Sequence, residues 1–325
     1  MYDYTCLVAG VVILAIIYFD FFYTTLSGSG FTFLTSTCAS VTHKIILLVA
    51  KITGRKLLSI SGMLVNLVIL TMWVLLVWAG LFLVYSFHPS GILNSNNEVA
   101  TSIQRLYMSG YVLSTLGMGD VRPVTPFFEV ITSFFSFFGF AFFTTSMTYL
   151  LSVSSAVIQK RSLALSIRNF GKTPLQAVTS LVRMDDNLRC YQLSSLQSMI
   201  NKHSNFYQAY PVLHYYHHMG VDASLAVNVA VLDEALSIIM HSEGSTKLGR
   251  EVESLRAALD DLLEHLKNRF EEETDYTPDI NWSSLDLPKG LAGNGFSTGN
   301  NLKHRRRILG GLLRNEGRTW DEVYV

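Results

Sequence analysis

Charge is what this chain has least of. Only 15% of its 325 residues are Asp, Glu, Lys or Arg, and the two signs cancel at 25 each, so no basic excess favours nucleic acid. Cysteine is scarce as well. Cys6, Cys38 and Cys190 form an odd, scattered set without metal-ligand spacing, and they read as unpaired thiols. The second half has no strand-like alternation and no Gly-x-Gly-x-x-Gly after a strand, which argues against a nucleotide-binding α/β fold and leaves a β-roll unsupported there. No nucleophile, base and oxyanion set can be assembled, so nothing in the chain points to an enzyme.

Apolar residues are what the chain has in quantity. It is 49% hydrophobic, with 20 Phe and 15 Tyr, the balance of an all-α membrane protein that also carries a soluble part. About 20 apolar residues in a helix cross a bilayer core of ~30 Å. Three segments are long enough: Tyr4 to Leu26, interrupted only by Asp20; Leu57 to Phe87; and Val130 to Gln159. The run Ile45–Ala50, between Lys44 and Lys51, is too short and reads as part of an interfacial helix.

Lys and Arg set the expected orientation. Lys44, Lys51, Arg55 and Lys56 follow the first span, and Lys160, Arg161, Arg168 and Lys172 follow the third. Both groups belong in the cytoplasm. The N-terminus is then outside, and an odd number of spans leaves the C-terminus inside. The first segment reads as a retained span rather than a signal peptide, because its leading residues are acidic and no small-x-small site follows closely.

Between the second and third spans lies Ser114-Thr-Leu-Gly-Met-Gly-Asp120. Two glycines alternating with larger residues permit positive φ at alternate positions, so that several carbonyls face one way. Carbonyls so placed replace the water around a dehydrating cation. With an outer span, a short helix and an inner span in that order, residues 58 to 157 resemble the pore module of the pore-loop potassium channel superfamily. Its filter signature is Thr-x-Gly-x-Gly, usually followed by Asp.

The resemblance implies a filter of Thr115, Leu116, Gly117, Met118 and Gly119, with Asp120 behind it. It implies permeant K+ as the ligand, no other cofactor, and a homotetramer around one axis, since the chain has a single filter and no internal repeat. Thr101 to Leu113 is the expected pore helix, capped by Thr101 or Ser102. Tyr107 and Tyr111, four residues apart, place two hydroxyls within reach of Asp120. Met118 stands where the family often has an aromatic ring, which leaves a weakly selective cation channel as an alternative. Gly139 falls where the family often places an inner-helix hinge, and a close helix–helix contact is the other reading. Of the inner-span hydroxyls Thr132, Ser133, Ser136, Thr144, Thr145, Ser146 and Thr148, a subset is expected to line a wet cavity, with the Phe cluster 134–143 packed on helices or lipid. No span carries Lys or Arg at every third position, so no voltage-sensing helix is expected.

The remainder reads as helices at about 175–202, 205–219, 222–241 and 246–270, with Gly220 and Gly244 as stops. Leu248, Val252, Leu255, Leu259, Leu262 and Leu266 have heptad spacing, either a coiled-coil seam between subunits or a face buried in its own domain. His214, His217 and His218 share a face if helical, as metal or proton sensor or as part of a buried aromatic helix. Residues 275–303 read as a linker, and His304-Arg-Arg-Arg307 as a run for lipid headgroups, a partner or solvent.

The chain thus divides into an N-terminal transmembrane helix (1–26), a loop with an interfacial helix (27–57), a pore module (58–157), a helical cytoplasmic domain (158–274) and a flexible linker and tail (275–325). The expected whole is a plasma-membrane channel gated in the inner helix and biased by an unknown cytoplasmic regulator. A non-conducting scaffold whose cytoplasmic helices bind a partner is the competing reading.

Overall fold

The computed structural model describes residues 3–53, 55–242, 250–270 and 300–324. The chain forms two compact units, residues 1–48 with 63–154, and residues 49–62 with 155–325.

The first unit is built on long apolar helices: α1 (Tyr4–Leu26), α2 (Phe33–Thr53), α3 (Ser61–Ser86) and α5 (Pro126–Arg168), with the shorter α4 (Ser102–Leu113) between α3 and α5. Asp3 caps α1 by accepting from the amides of Thr5 and Cys6. The amide of Asp3 in turn donates to the carbonyl of Phe87 at 2.9 Å. Further along, Gly10 packs on Gly80, and the Asp20 carboxylate accepts from Trp73 Nε1 at 2.7 Å. Along this series the residue numbers of α1 rise while those of α3 fall, so the two helices are antiparallel over about 25 Å at 1.5 Å per residue.

That pairing constrains α2. By length and composition four helices could cross a membrane, α2 among them with residues 33–50, whereas the sequence suggests three spans. If α1 and α3 both cross, the end of one and the start of the other lie on the same side, so a single helix between them does not cross. The burial of α2 agrees with an interfacial position. Thr35, Ala39, His43 and Ile46 form one buried stripe, while Val41, Ile45 and Leu48 are exposed.

Asp20 pins the α1–α2 corner. Its carboxylate also accepts from the Thr35 amide at 3.2 Å, from Thr35 Oγ1 at 2.5 Å and from Thr32 Oγ1. A carboxylate at the N-terminal end of α2 meets its unpaired amides and the positive end of its dipole. The apparent defect in the first apolar segment is therefore a buried, fully partnered anchor. A two-stranded antiparallel sheet, β1 (Ile92–Asn94) with β2 (Val121–Pro123), brackets α4 and the motif after it.

The second unit is helical. It holds the C-terminal part of α5, then α6 (Pro174–Arg183), α7 (Asp186–Ala209), α8 (Leu225–His241), α9 (Arg250–Phe270), α10 (Asn300–Asn315) and α11 (Asp321–Tyr324). Every residue of α8 from Leu225 to Ile239 is buried. Its two carboxylates are paired: Asp233 with Arg256 and Arg305, Glu234 with Arg306 through two bonds of 2.7 Å. Leu163, Ala164 and Ile167 at the end of α5 belong to the same core.

Several expectations for this half are corrected. One helix over 175–202 is two, because Asp185 starts a new one by capping α7. The helix expected over 205–219 ends at Ala209, and Pro211 opens a 3-10 turn, so His214, His217 and His218 are not aligned on a helix face. Of the two readings of the heptad residues, the face buried in its own domain is the one observed: Val252, Leu255, Leu259, Leu262 and Leu266 all lie in that core. The tail is not a flexible extension over 300–324, where α10 and α11 pack on the core, and Arg305 and Arg306 are buried ion-pair partners rather than a lipid-facing run. Gly244, Leu248 and residues 275–299 of the expected linker lie outside the described residues.

Candidate ion-conduction site

The site begins with α4. Thr101 caps it, and Gln104 completes the box by accepting from the Thr101 amide at 2.9 Å. At the other end the Thr115 amide donates to Val112 O at 3.1 Å and the Leu116 amide to Tyr111 O at 2.9 Å. That pair of bonds is a Schellman ending, in which the left-handed residue is usually glycine. Here it is Thr115, with φ of 59°. A β-branched residue at positive φ is strained by about 1–3 kcal/mol and persists only where its surroundings dictate it.

The left-handed conformation then recurs at every second residue. Gly117 has φ of 59° and Gly119 of 77°, while Leu116 and Met118 between them keep negative φ. This alternation is the backbone geometry that turns successive carbonyls toward one side. The strip is open: Leu116 and Met118 are exposed, and a Cβ on Gly117 or Gly119 would meet nothing within 4 Å.

Behind the strip the packing is dense. Met108, Tyr111 and Val112 of α4 are buried, as is Val121. The Tyr111 hydroxyl donates to Val121 O, and its ring meets that of Tyr107 edge-on at 5.2 Å between centroids. Tyr107 lies beside the Asp120 carboxylate, which accepts from the Val121 amide at 3.1 Å. Tyr111 therefore holds the exit of the strip through the backbone carbonyl after Asp120, and Tyr107 backs it by ring contact. Ser95 Oγ adds a bond to Asp120 O at 2.9 Å.

Sequence reasoning missed Trp78. It stands on α3, donates to Leu106 O at 2.9 Å and lies against Gly110, where a Cβ would come within 3.3 Å of the indole. An indole on the outer helix thus backs the pore helix, which has no tryptophan of its own. The signal available was Gly110, a glycine in mid-helix with no turn to explain it.

Gly139 lies against the carbonyl of Leu113 with no space for a side chain, and α5 is unbroken through it. An apolar cavity of about 900 Å³ opens beside this contact, bounded by α3, the end of α4 and α5. Its polar side chains are Ser114, Thr115 and Ser146, and Phe140 and Phe143 are among its walls. Of the other inner-helix hydroxyls, Ser133, Thr144 and Thr148 bond to carbonyls one turn back, and Thr132 meets Tyr85 Oη at 2.8 Å.

A family model described as "Ion channel" matches residues 68–155, the stretch that holds α4, the strip and the first part of α5. Over a far longer span, the chain is 31% identical across 280 residues to YdjJ, an uncharacterized membrane protein of Bacillus subtilis strain 168, covering 83% of this chain and 82% of the relative. The chain belongs to the pore-loop ion channel family, with a pore loop set between two membrane helices. No solved structure matches it. In this ion channel the matched segment starts within α3 and stops within α5, so the N-terminal hairpin and the second unit are additions to the family's module, shared in part with YdjJ.

Proposed function

We propose that the protein is a homotetrameric, potassium-preferring cation channel of the plasma membrane, with Thr115, Leu116, Gly117, Met118 and Gly119 as its filter. The observation that carries this reading is the left-handed backbone at 115, 117 and 119, at the end of a capped helix. A cation sheds water only where oxygens replace it on all sides. One strip supplies one side, so four copies around an axis complete the cage. The partial negative charge at the C-terminal end of α4 favours a cation next to Thr115.

The antiparallel pairing of α1 with α3 supports an N-terminus on the side from which the pore loop enters. The basic residues before α3 and at the end of α5 support a cytoplasmic second unit. A gate in the inner helix, biased by that unit, completes the reading. The exposed Met118 favours less stringent selectivity than a ring packed behind the filter would give.

Potassium flux into liposomes, with sodium as competitor, tests the proposal. Gly119→Ala abolishes flux while insertion and assembly persist. The substitution acts through φ of 77°, since no neighbour crowds the position. Normal potassium flux in that variant removes the filter assignment.

A further inference from the structure

The segment 213–219 of the second unit runs from the end of the 3-10 turn at Pro211–Tyr215 into irregular chain, and its backbone is held by side chains from three distant parts of the chain. Lys160, on the C-terminal part of α5, donates to Leu213 O at 3.4 Å and to Tyr216 O at 2.8 Å. Ser61, the first residue of α3, donates to Tyr215 O. Asn315 donates to His214 O at 3.2 Å, and Arg318 to His218 O at 3.2 Å and Met219 O at 2.6 Å. Buried carbonyls need partners, and within the segment only Leu213 O is given one by a local amide, that of Tyr216 at 3.3 Å. Here six consecutive or near-consecutive carbonyls find theirs in side chains that precede the loop by 53 or more residues or follow it by 99 or more.

The Lys160 ammonium also pairs with Glu316 at 3.1 Å, and both residues are 5% exposed. The other Glu316 oxygen accepts from Ser224 Oγ at 2.6 Å. The Tyr216 ring fills the space where a Cβ on Gly62 would stand. A pair buried this deeply adds little net stability against an apolar pair, but it defines one arrangement and penalises others.

We infer that loop 213–219 is a clasp joining the ends of the outer and inner pore helices, and that the Lys160–Glu316 pair holds it in one gating state. The inference rests on the channel reading above. Movement of α10 reaches Lys160 through Glu316 and reaches both helix ends through the loop. A ligand or partner of the second unit therefore shifts the pore equilibrium by its differential affinity for the clasped and released arrangements.

Planar-bilayer recordings of the full-length channel test this. Glu316→Gln and Lys160→Met each change open probability about 5-fold or more in the same direction, within the usual range of allosteric coupling, and the double variant departs less than the two single effects combined. Reversal potential in mixed potassium and sodium stays at the wild-type value, since the filter is untouched. Ser61→Ala removes one hydroxyl, leaves the ion pair whole, and shifts open probability in the same direction by less. It keeps the inference falsifiable where a charge variant does not fold. If the wild type conducts and folded variants, Ser61→Ala included, gate as it does, the clasp is overturned and the channel reading stands. If the wild type carries no current, the channel reading itself fails and the clasp falls with it.

Discussion

Gly139 and Leu113 meet backbone to backbone. A methyl group on the glycine would overlap the Leu113 carbonyl, two residues before the strained Thr115. The inner helix thus bears directly on the end of the pore helix, and the glycine serves this approach whether or not the helix also bends there.

Gly139→Ala is accordingly expected to act on the filter. Overpacking of this kind costs about 1–3 kcal/mol. The thermal midpoint in detergent falls, and ion selectivity degrades together with flux. A variant that alters open probability alone, with stability and reversal potential intact, would assign Gly139 to a hinge instead.

Asp20→Ala should be among the most damaging substitutions in the first unit. It leaves Trp73 Nε1, both hydroxyls and the Thr35 amide without their acceptor, at about 1–3 kcal/mol for each buried group left unpaired. Trp73→Phe costs less, and the Asp20→Ala/Trp73→Phe pair is less than additive in thermal melts. Full additivity would mean that the two groups do not depend on one another.

Tyr107 and Tyr111 separate by what they hold. Tyr111→Phe strips a donor from the Val121 carbonyl in a buried setting, whereas Tyr107→Phe removes only the hydroxyl of a more exposed ring near Asp120. Reversal potentials in mixed salts should move further for Tyr111→Phe. Equal or reversed effects would shift the weight to Asp120.

The second unit should weaken in acid through His203. Burial, with the Lys160 charge alongside, pushes this imidazole down to about 3 against partial compensation from Glu316. Between the ordinary value of about 6.5 and 3, the unfolded chain binds a proton that the folded chain refuses. Stability is thus retained above pH 6.5 and falls as the pH drops, by about 1.4 kcal/mol per unit for one proton. His203→Gln should narrow the difference in thermal midpoint between pH 7.5 and 5. An unchanged difference would exclude His203 as its source.

Much of the pore module could be read from the chain because its signals are local. Uncharged length marks α1, α3 and α5, Thr101 with Gln104 marks the start of α4, and the glycine alternation marks the strip. What escaped depends on contacts between segments far apart. Asp20 reads as an interruption until Thr32, Thr35 and Trp73 surround it. The leucine periodicity of α9 gives a buried face but not its partner, and the core supplied one within the chain. Arg305 and Arg306 look solvated in a run of four basic residues because Asp233 and Glu234 lie some 70 positions earlier. Pro211 was a local signal passed over, and it would have ended the helix before the histidines.

The last point bears on how the chain is made. Helix α8 is enclosed on every side, yet Arg305 and Arg306 leave the ribosome more than 60 residues after its end. At about 5–20 residues per second, an apolar helix with two unpaired carboxylates waits several seconds for its closing partner. The pore helices are by then already synthesised, so the clasp on Lys160 forms last, when Glu316 arrives. A message truncated before codon 300 would yield a pore without its latch and a domain with an open core, a better substrate for proteases than for gating.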